Sequence, residues 1–440
     1  MTYTWDTGES TDSLADVIRR GSAPDGRLYY IQDIPDISDV LYRQSYPCTS
    51  SPGDYRRFVV TVLERLLPED APGISWEELV DRSYDFAPSL RSLADGYVLE
   101  LFHGPSCAFK DFGARFLAGF LQADCERRGE KLVILTATSG DTGSAVGQAF
   151  AGSTAVEVVI LYPKGRISHL QEKQLTTIGG NVHAIEVIGS FDDCQRMVKE
   201  SFANQSLRAD LSMSSANSIN LGRLLPQMLY YLYAAACLAG SGRAAPIFCV
   251  PSGNFGNLTA GVMGYRAGMK VSGFIAATNS NDVVPAYLES ARFEPRDSIE
   301  TISNAMDVGN PSNFPRLLRL YNDDYRTMRE HLSGYRVSDD QTRESMKACA
   351  EDEDYLVCPH TAVGLAATAL HRESHTAPAT YVTLGTAHPA KFPDIVEQAT
   401  GRRPDAPERL SRVLDLPGHA DTMSSDSREL AAWLREHTLG

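Results

Sequence analysis

From about residue 97 the chain alternates short β-rich runs with helical ones, and this rhythm constrains the fold more than any other feature. YVLELF, KDFGARFLAGFLQADCERRG, KLVILTAT, SAVGQAFAG and VEVVILYP follow one another in that order. Strands that alternate with helices imply a parallel sheet covered on both faces. The alternation continues through VHAIEVIG at 182–189, an apolar helix beginning near Leu221, IFCVPSG at 247–253 and GFIAATN at 273–279. The expected class is therefore α/β, with two parallel or mostly parallel sheets. Residues 1–95 differ in texture: SLADVIRRG, the turn Pro24-Asp25-Gly26 and YRRFVVTVLERLL before Pro68 read as a mainly helical N-terminal unit. A chain of 440 residues exceeds the usual size of one core, so the expected division is 1–95, 96–235 and 236–440. Past about 400 the sequence turns polar and Pro-rich, then ends in a helix over RELAAWLREH that Asp426 could cap, with Glu429 at the third helical position.

Charge and cysteine content narrow the partners. Lys plus Arg number 41 against 56 Asp plus Glu, a net charge of −15. Such a field repels nucleic acid and anionic membranes, so an anionic ligand must be held locally. Eight cysteines between Cys48 and Cys358 include no C-x-x-C pair, which argues against a disulfide framework and a structural zinc site and for reduced thiols in the cytoplasm. The acidic start MTYTWDTGESTDSLAD is unlike a secretory signal or transit peptide. The longest apolar run, YYLYAAACLA, is about half of the ~20 residues a membrane span needs.

Five segments carry candidate chemistry. In HGPSCAFKDFGARF at 103–116, Lys110 opens a helix among aromatics, a setting that pushes an amine toward its neutral form and makes it a candidate Schiff-base nucleophile; taken alone it is equally a surface lysine beside Asp111. In TATSGDTGSAV at 136–146, Ser139, Gly140, Asp141, Thr142 and Gly143 set hydroxyls and amides at a helix start, either an anion site or a plain capped turn. VPSGNFGNLTAG at 250–261 is again strand, glycine-rich loop and helix; it lacks the endings of a P-loop and of a dinucleotide loop, leaving a single-phosphate cradle or a turn. In SSANSINLGRLLPQ at 214–227, Asn220 can cap a helix with Arg223 at its third position, suited to phosphate or to a structural ion pair. Thr386, in LGTAHPAKF at 384–392, follows the strand YVTLG.

Together, and in this order, these segments resemble the threonine synthases, of the tryptophan-synthase-β-like group of pyridoxal-phosphate enzymes. DGRLYY at 25–30, ATNSNDVVP at 277–285, SNAMDVGNPSNFPRL at 303–317, PHTAVG at 359–364 and AKFPDIVEQATG at 390–401 extend the resemblance over about nine-tenths of the chain. The resemblance implies that Lys110 binds pyridoxal 5'-phosphate covalently, that Gly253, Asn254, Phe255, Gly256 and Asn257 take its phosphate, and that Thr386 meets its ring nitrogen. It implies that Ser139, Gly140 and Thr142 hold the substrate carboxylate and that Asn217, Ser218 and Arg223 hold the substrate phosphate. Asp141 stands where shorter family members carry an Asn facing the cofactor's ring oxygen; Ser106 and Cys107 replace the more usual Thr and Leu.

The implied reaction is conversion of O-phospho-L-homoserine and water to L-threonine and phosphate by γ-elimination and β-addition, with Lys110 moving the protons. The three anion sites this substrate and cofactor need match three loop-to-helix starts. The alternatives are a relative acting on another γ-activated or phosphonate amino acid, or a silent cofactor-binding protein. The expected partner is a small molecule, with no nucleic acid or membrane, in a monomer or homodimer.

Overall fold

A computed structural model describes residues 1–440 except 2, 5–11, 24–26, 44, 69–70, 72, 139 and 439–440. The turn at Pro24-Asp25-Gly26 and the candidate residue Ser139 lie outside the described residues.

The strands in chain order are β1 Tyr3–Thr4, β2 Tyr30–Ile31, β3 Ser89–Leu93, β4 Gly96–Glu100, β5 Leu132–Ala137, β6 Val156–Pro163, β7 Val182–Ile188, β8 Met213–Ser214, β9 Pro246–Pro251, β10 Gly273–Thr278, β11 Leu332–Arg336, β12 Thr380–Gly385 and β13 Asp421–Ser424. They form two large sheets. One has six strands in the order β11-β10-β9-β12-β4-β3, parallel apart from the β3–β4 pair; the other has five, β13-β7-β6-β5-β8, all parallel. A short antiparallel pair, β1 and β2, stands apart. β5, β9 and β10 are apolar on both sides because helices cover both faces; their residues are buried almost throughout.

Two helices run through the centre. Leu221–Gly240 is buried continuously from Leu221 to Leu238, which accounts for an apolar run that is not one-sided. Lys110–Arg128 packs beside it, ending on Gly129 in a left-handed cap. The early helices Leu14–Arg20, Pro52–Leu66 and Trp76–Ser83 start on Ser13, Ser51 and Ser75, each accepting a backbone N–H. Tyr55 packs edge-on and Tyr84 tilted against Phe112, and Tyr55 and Phe58 pack edge-on against Tyr233, so this segment shares one apolar core with the central helices.

The polar C-terminal stretch does more than end in a helix. β13 pairs with β7 and completes the five-stranded sheet, and the helix Ser427–Thr438 packs behind it. Asp426 does accept from the Arg428 N–H, whereas the Glu429 carboxylate reaches back to Ser424 instead of to Asp426. None of the helices of the described residues is long and apolar enough to cross a membrane. All eight cysteines are free thiols, and only Cys48 is exposed.

Candidate active site

Loops that leave the carboxyl ends of strands, and the helix starts they lead into, carry the described candidate residues: 101–109 after β4, Thr138 and Gly140 after β5, 215–220 after β8, 252–255 after β9 and 386–388 after β12. They come from both sheets, and the carboxyl edge of a parallel sheet is where such folds hold ligands.

Lys110 is the first residue of its helix. The backbone before it is fixed by the Phe109 N–H donating to the Thr386 carbonyl at 2.8 Å and by a bridge between Ala108 and Ala387. Those contacts place Thr386 beside the lysine, while the Thr386 N–H donates to Thr361 Oγ1 at 3.4 Å. Asp111 turns inward and accepts from the Ser106 N–H at 2.9 Å; burial pushes its carboxyl up to about 6. The Lys110 Nζ lies 3.6 Å from Asp141 Oδ2. Burial lowers its affinity for a proton, and Lys391 and Arg223 act in the same direction, while Asp141 opposes them.

Asp141 begins the helix Asp141–Phe150. Its other oxygen accepts from Lys391 Nζ at 2.8 Å and Gln171 Nε2 at 3.2 Å. Burial alone would raise this carboxyl; the ammonium groups of Lys391 and Lys110 outweigh it and hold Asp141 ionised. Gly140 sits at φ 130°, and a side chain there would collide with Gln171. The helix is capped by Thr138, whose Oγ1 accepts from Gly140 and Gly143 N–H at 2.9 and 2.8 Å. Thr142 is half-buried at the same helix start.

The 253–257 loop turns through Phe255 in the left-handed region, φ 60°, and opens the helix Gly256–Arg266. Its amides therefore point from a helix N-terminus. A Cβ on Gly253 would lie 2.9 Å from Met306 Cα, so only glycine fits that approach. The Asn257 side chain faces the core, where Oδ1 accepts from Tyr230 and Tyr231 hydroxyls at 2.5 and 2.7 Å. Asn254 faces the other way, accepting from Ser312 Oγ at 3.1 Å through its side chain and from the Asn313 N–H at 3.2 Å through its carbonyl.

Asn220 caps the Leu221 helix by accepting from the Gly222 N–H, and its amide donates to the carbonyls of Ile18 and Ser215. Asn217 Oδ1 accepts from Thr136 Oγ1 at 2.6 Å. Ser218 is reached by Asn313 Nδ2 at 3.4 Å, which joins this loop to the 253–257 loop. Arg223 is 2 % exposed and packs on the Lys110 helix, where the missing side chain of Gly113 makes room: a Cβ there would lie 2.7 Å from the Arg223 carbonyl oxygen. Nη1 donates to the Ala216 carbonyl at 2.6 Å, Nε has no partner, and Arg223 has no carboxylate within ion-pair reach among the described residues. Burial pulls the guanidinium down to about 10, still protonated at neutral pH.

Three side chains of this site fall outside the motif reading. Lys391 is fully buried on Asp141. His360, its Nδ1 unpaired and its Nε2 accepting from the Ala305 N–H, is pushed by burial down to about 4 and is neutral at pH 7. Arg316 is a second buried guanidinium, pulled by burial down to about 9, that bonds the Tyr29 carbonyl and Asn313 Oδ1. PHTAVG, AKF and NFPRL were the only sequence signals for them.

A largely enclosed lysine at a sheet's carboxyl edge, held beside an ionised carboxylate and near a helix N-terminus and a buried guanidinium, suits a carbonyl cofactor and an anionic ligand. The comparisons agree: the pyridoxal-phosphate dependent enzyme family matches residues 94–386, and the threonine synthase C-terminal family matches 361–433. The threonine synthase of Haemophilus influenzae is 39% identical over 428 residues, 97% of each chain. The fold is similar to that of the Escherichia coli threonine synthase, with TM-score 0.86, 38% identity and 97% of both chains covered. It is also similar to a PLP-bound threonine synthase from Brucella melitensis, with TM-score 0.89, 33% identity and 99% of both chains covered. The chain therefore belongs to the pyridoxal-phosphate-dependent enzymes and, within them, to the threonine synthase family.

The residues present fit pyridoxal phosphate. Lys110 would supply the amine, the 253–257 loop opens a helix N-terminus suited to the cofactor's phosphate, and the ionised Asp141 lies against Lys110.

Proposed function

We propose that this protein converts O-phospho-L-homoserine and water to L-threonine and phosphate. The observation that carries the substrate is Arg223, a buried guanidinium with no acid partner among the described residues and with Nε unpaired, set beside Ser218 and Asn217 on one loop. Asp111 acts on this guanidinium only from beyond ion-pair distance, so a donor stays unpaired in a buried cation, which is costly unless an anion completes it, and a substrate phosphate would do so.

Lys110 would bind the cofactor, the 253–257 amides would take its phosphate, the Thr386 hydroxyl would meet its ring nitrogen, and Asp141 would stand toward its ring oxygen. When bound, pyridoxal phosphate stabilises the negative charge that builds on the substrate carbons next to the amino group. Ser139, Gly140 and Thr142 hold the substrate carboxylate, while Asn217, Ser218 and Arg223 hold its phosphate. So placed, the substrate presents its α- and β-hydrogens to Lys110, whose amine removes the α-proton and then moves a β-proton as phosphate leaves the γ-carbon; a proton returns to the γ-carbon, which becomes the methyl group, and, after water adds at the β-carbon, one returns to the α-carbon. A neutral Lys110 is what that first step needs, and burial favours it. Arg223 retains the departing phosphate next to the β-carbon that water attacks. The free thiols fit a cytoplasmic setting.

The test is to offer O-phosphohomoserine, homoserine and O-acetylhomoserine and to measure threonine and phosphate. Threonine from the phosphorylated substrate alone is expected. Threonine-free turnover of another γ-substituted amino acid, or binding without turnover, would overturn the proposal. Borohydride trapping should place the cofactor on Lys110 and be lost in Lys110→Ala; label on Lys164 or Lys391 would refute that assignment.

A further inference from the structure

Nothing in the reaction proposed above employs Lys391, yet it is the most deeply buried lysine of the site. It ends the short turn Pro389–Lys391 that follows β12, and its side chain is 0 % exposed. The Nζ makes two close contacts: 2.8 Å to Asp141 Oδ1 and 2.9 Å to the Ser106 carbonyl. Lys110 approaches the opposite oxygen of the same carboxylate, at 3.6 Å. One carboxylate thus lies between two ammonium groups, with Gln171 as a neutral donor on the Lys391 side.

The charges around this pair bear on the proton of Lys110. His360 faces the cluster uncharged at neutral pH. Arg223 adds a cation from the Leu221 helix, and Asp111 a buried carboxyl from the Lys110 helix. Cations outnumber carboxylates in a site where burial penalises each net charge, so the cluster is relieved by losing one proton. Lys391 touches two oxygens at hydrogen-bond distance, whereas Lys110 has a single, longer contact. Burial and the neighbouring cations weaken the hold of Lys110 on its proton.

With Lys110 as the cofactor lysine, we propose that Lys391 is a positioning residue whose ammonium neutralises Asp141, so that the carboxylate cannot hold Lys110 in its charged form. The Asp141–Lys391 pair then presents Lys110 with an oriented acceptor of no net charge. Lys391 touches neither substrate nor cofactor in this role; it acts on the lysine that does.

Two pH profiles test this. In the cofactor-free full chain, the reactivity of Lys110 toward a small acetylating reagent is followed by mass spectrometry against pH. In the holoenzyme, the pH response of the near-visible cofactor band is followed. Lys391→Met leaves a bare carboxylate beside Lys110, so the Lys110 profile should move to higher pH by about one unit, roughly tenfold less neutral amine below the transition. Asp141→Asn leaves a bare ammonium instead, so the profile should move to lower pH. The double variant removes both charges and should return near the wild-type profile, and it supplies a folded comparison if Lys391→Met does not fold. Lys391→Arg should also stay near wild type.

A purely structural lysine would lower stability without opposing shifts. Shifts of the same sign in the two single variants, or a Lys110 profile indifferent to both, would overturn the proposal. Failure of the cofactor to map to Lys110 would instead sink the assignment of that lysine, so the two failures are distinguishable.

Discussion

Replacing Arg223 by lysine keeps a positive charge in the pocket but removes the planar fork. The guanidinium spends Nη1 on the Ala216 carbonyl at 2.6 Å and leaves Nε unpaired, so it can anchor itself and a phosphate at once. A lysine has one nitrogen for both tasks. Losing one charge-assisted hydrogen bond costs about 1.5–3 kcal/mol, or roughly 10- to 150-fold in kcat/KM for O-phosphohomoserine. Burial adds a second signature. It pulls the Arg223 guanidinium from 12.5 to about 10, and the same penalty on an ordinary lysine would leave it near about 8. The deficit of the variant should therefore widen as pH rises through about 8, where the introduced lysine discharges, while the wild-type arginine stays charged. The assay is phosphate release and threonine formation between neutral and mildly alkaline pH. It is paired with binding of L-homoserine, which lacks the phosphate, followed by the cofactor spectrum. Equal kcat/KM in both proteins, or an equal loss of homoserine binding, would refute a phosphate-specific role.

Thr386→Asp should set a carboxylate at the cofactor's ring nitrogen and shift partitioning from threonine formation toward abortive transamination with the fold intact; unchanged side products and an unchanged spectrum would show that Thr386 does not meet that nitrogen. His360 has its proton affinity pushed from 6.5 to about 4 by burial, so the unfolded chain binds the proton more readily and stability falls as pH drops from about 6.5 to about 4. His360→Gln should flatten this slope by up to about 1.4 kcal/mol per pH unit in urea unfolding, and an unaltered slope would count against the buried neutral imidazole.

Seven of the eleven strands of the two sheets were legible as short apolar runs bounded by helices, and β5, β6 and β7 appear within a residue or so of where KLVILTAT, VEVVILYP and VHAIEVIG place them; β3, β8 and β11, which are short or half-exposed, carried no such run. Nor was β13 legible. DTMS has one buried apolar residue, Met423, and its strand character comes from lying against β7, more than 230 residues earlier in the chain. Local propensity carries no trace of such a partner. Glu429 is a related case: its position matched a capping box, but Ser424 offered both an N–H and a hydroxyl nearby, and the carboxylate took those.

The same distinction governs the site. Lys110, Gly253–Asn257 and Arg223 belong to strand–loop–helix segments whose geometry is local, so the sequence offers them as candidates for a ligand, and the family resemblance of the segments taken together favours that reading over plain turns and caps. Lys391 and His360 are defined by what they meet across the fold. AKF carries no local sign of a role for its lysine until Asp141 is brought to 2.8 Å from it by a strand of the other sheet. Asp141 shows why this matters for chemistry and not only for packing. Its identity is plain in the sequence, but whether it carries a charge depends on burial, which opposes ionisation, and on two lysines, which favour it. With Lys391 in place the second effect wins, and Lys110 faces a carboxylate whose charge is already spent. The proton on Lys110, the quantity on which the proposed reaction turns, is therefore set by a residue 281 positions away in a motif that has no catalytic signature of its own.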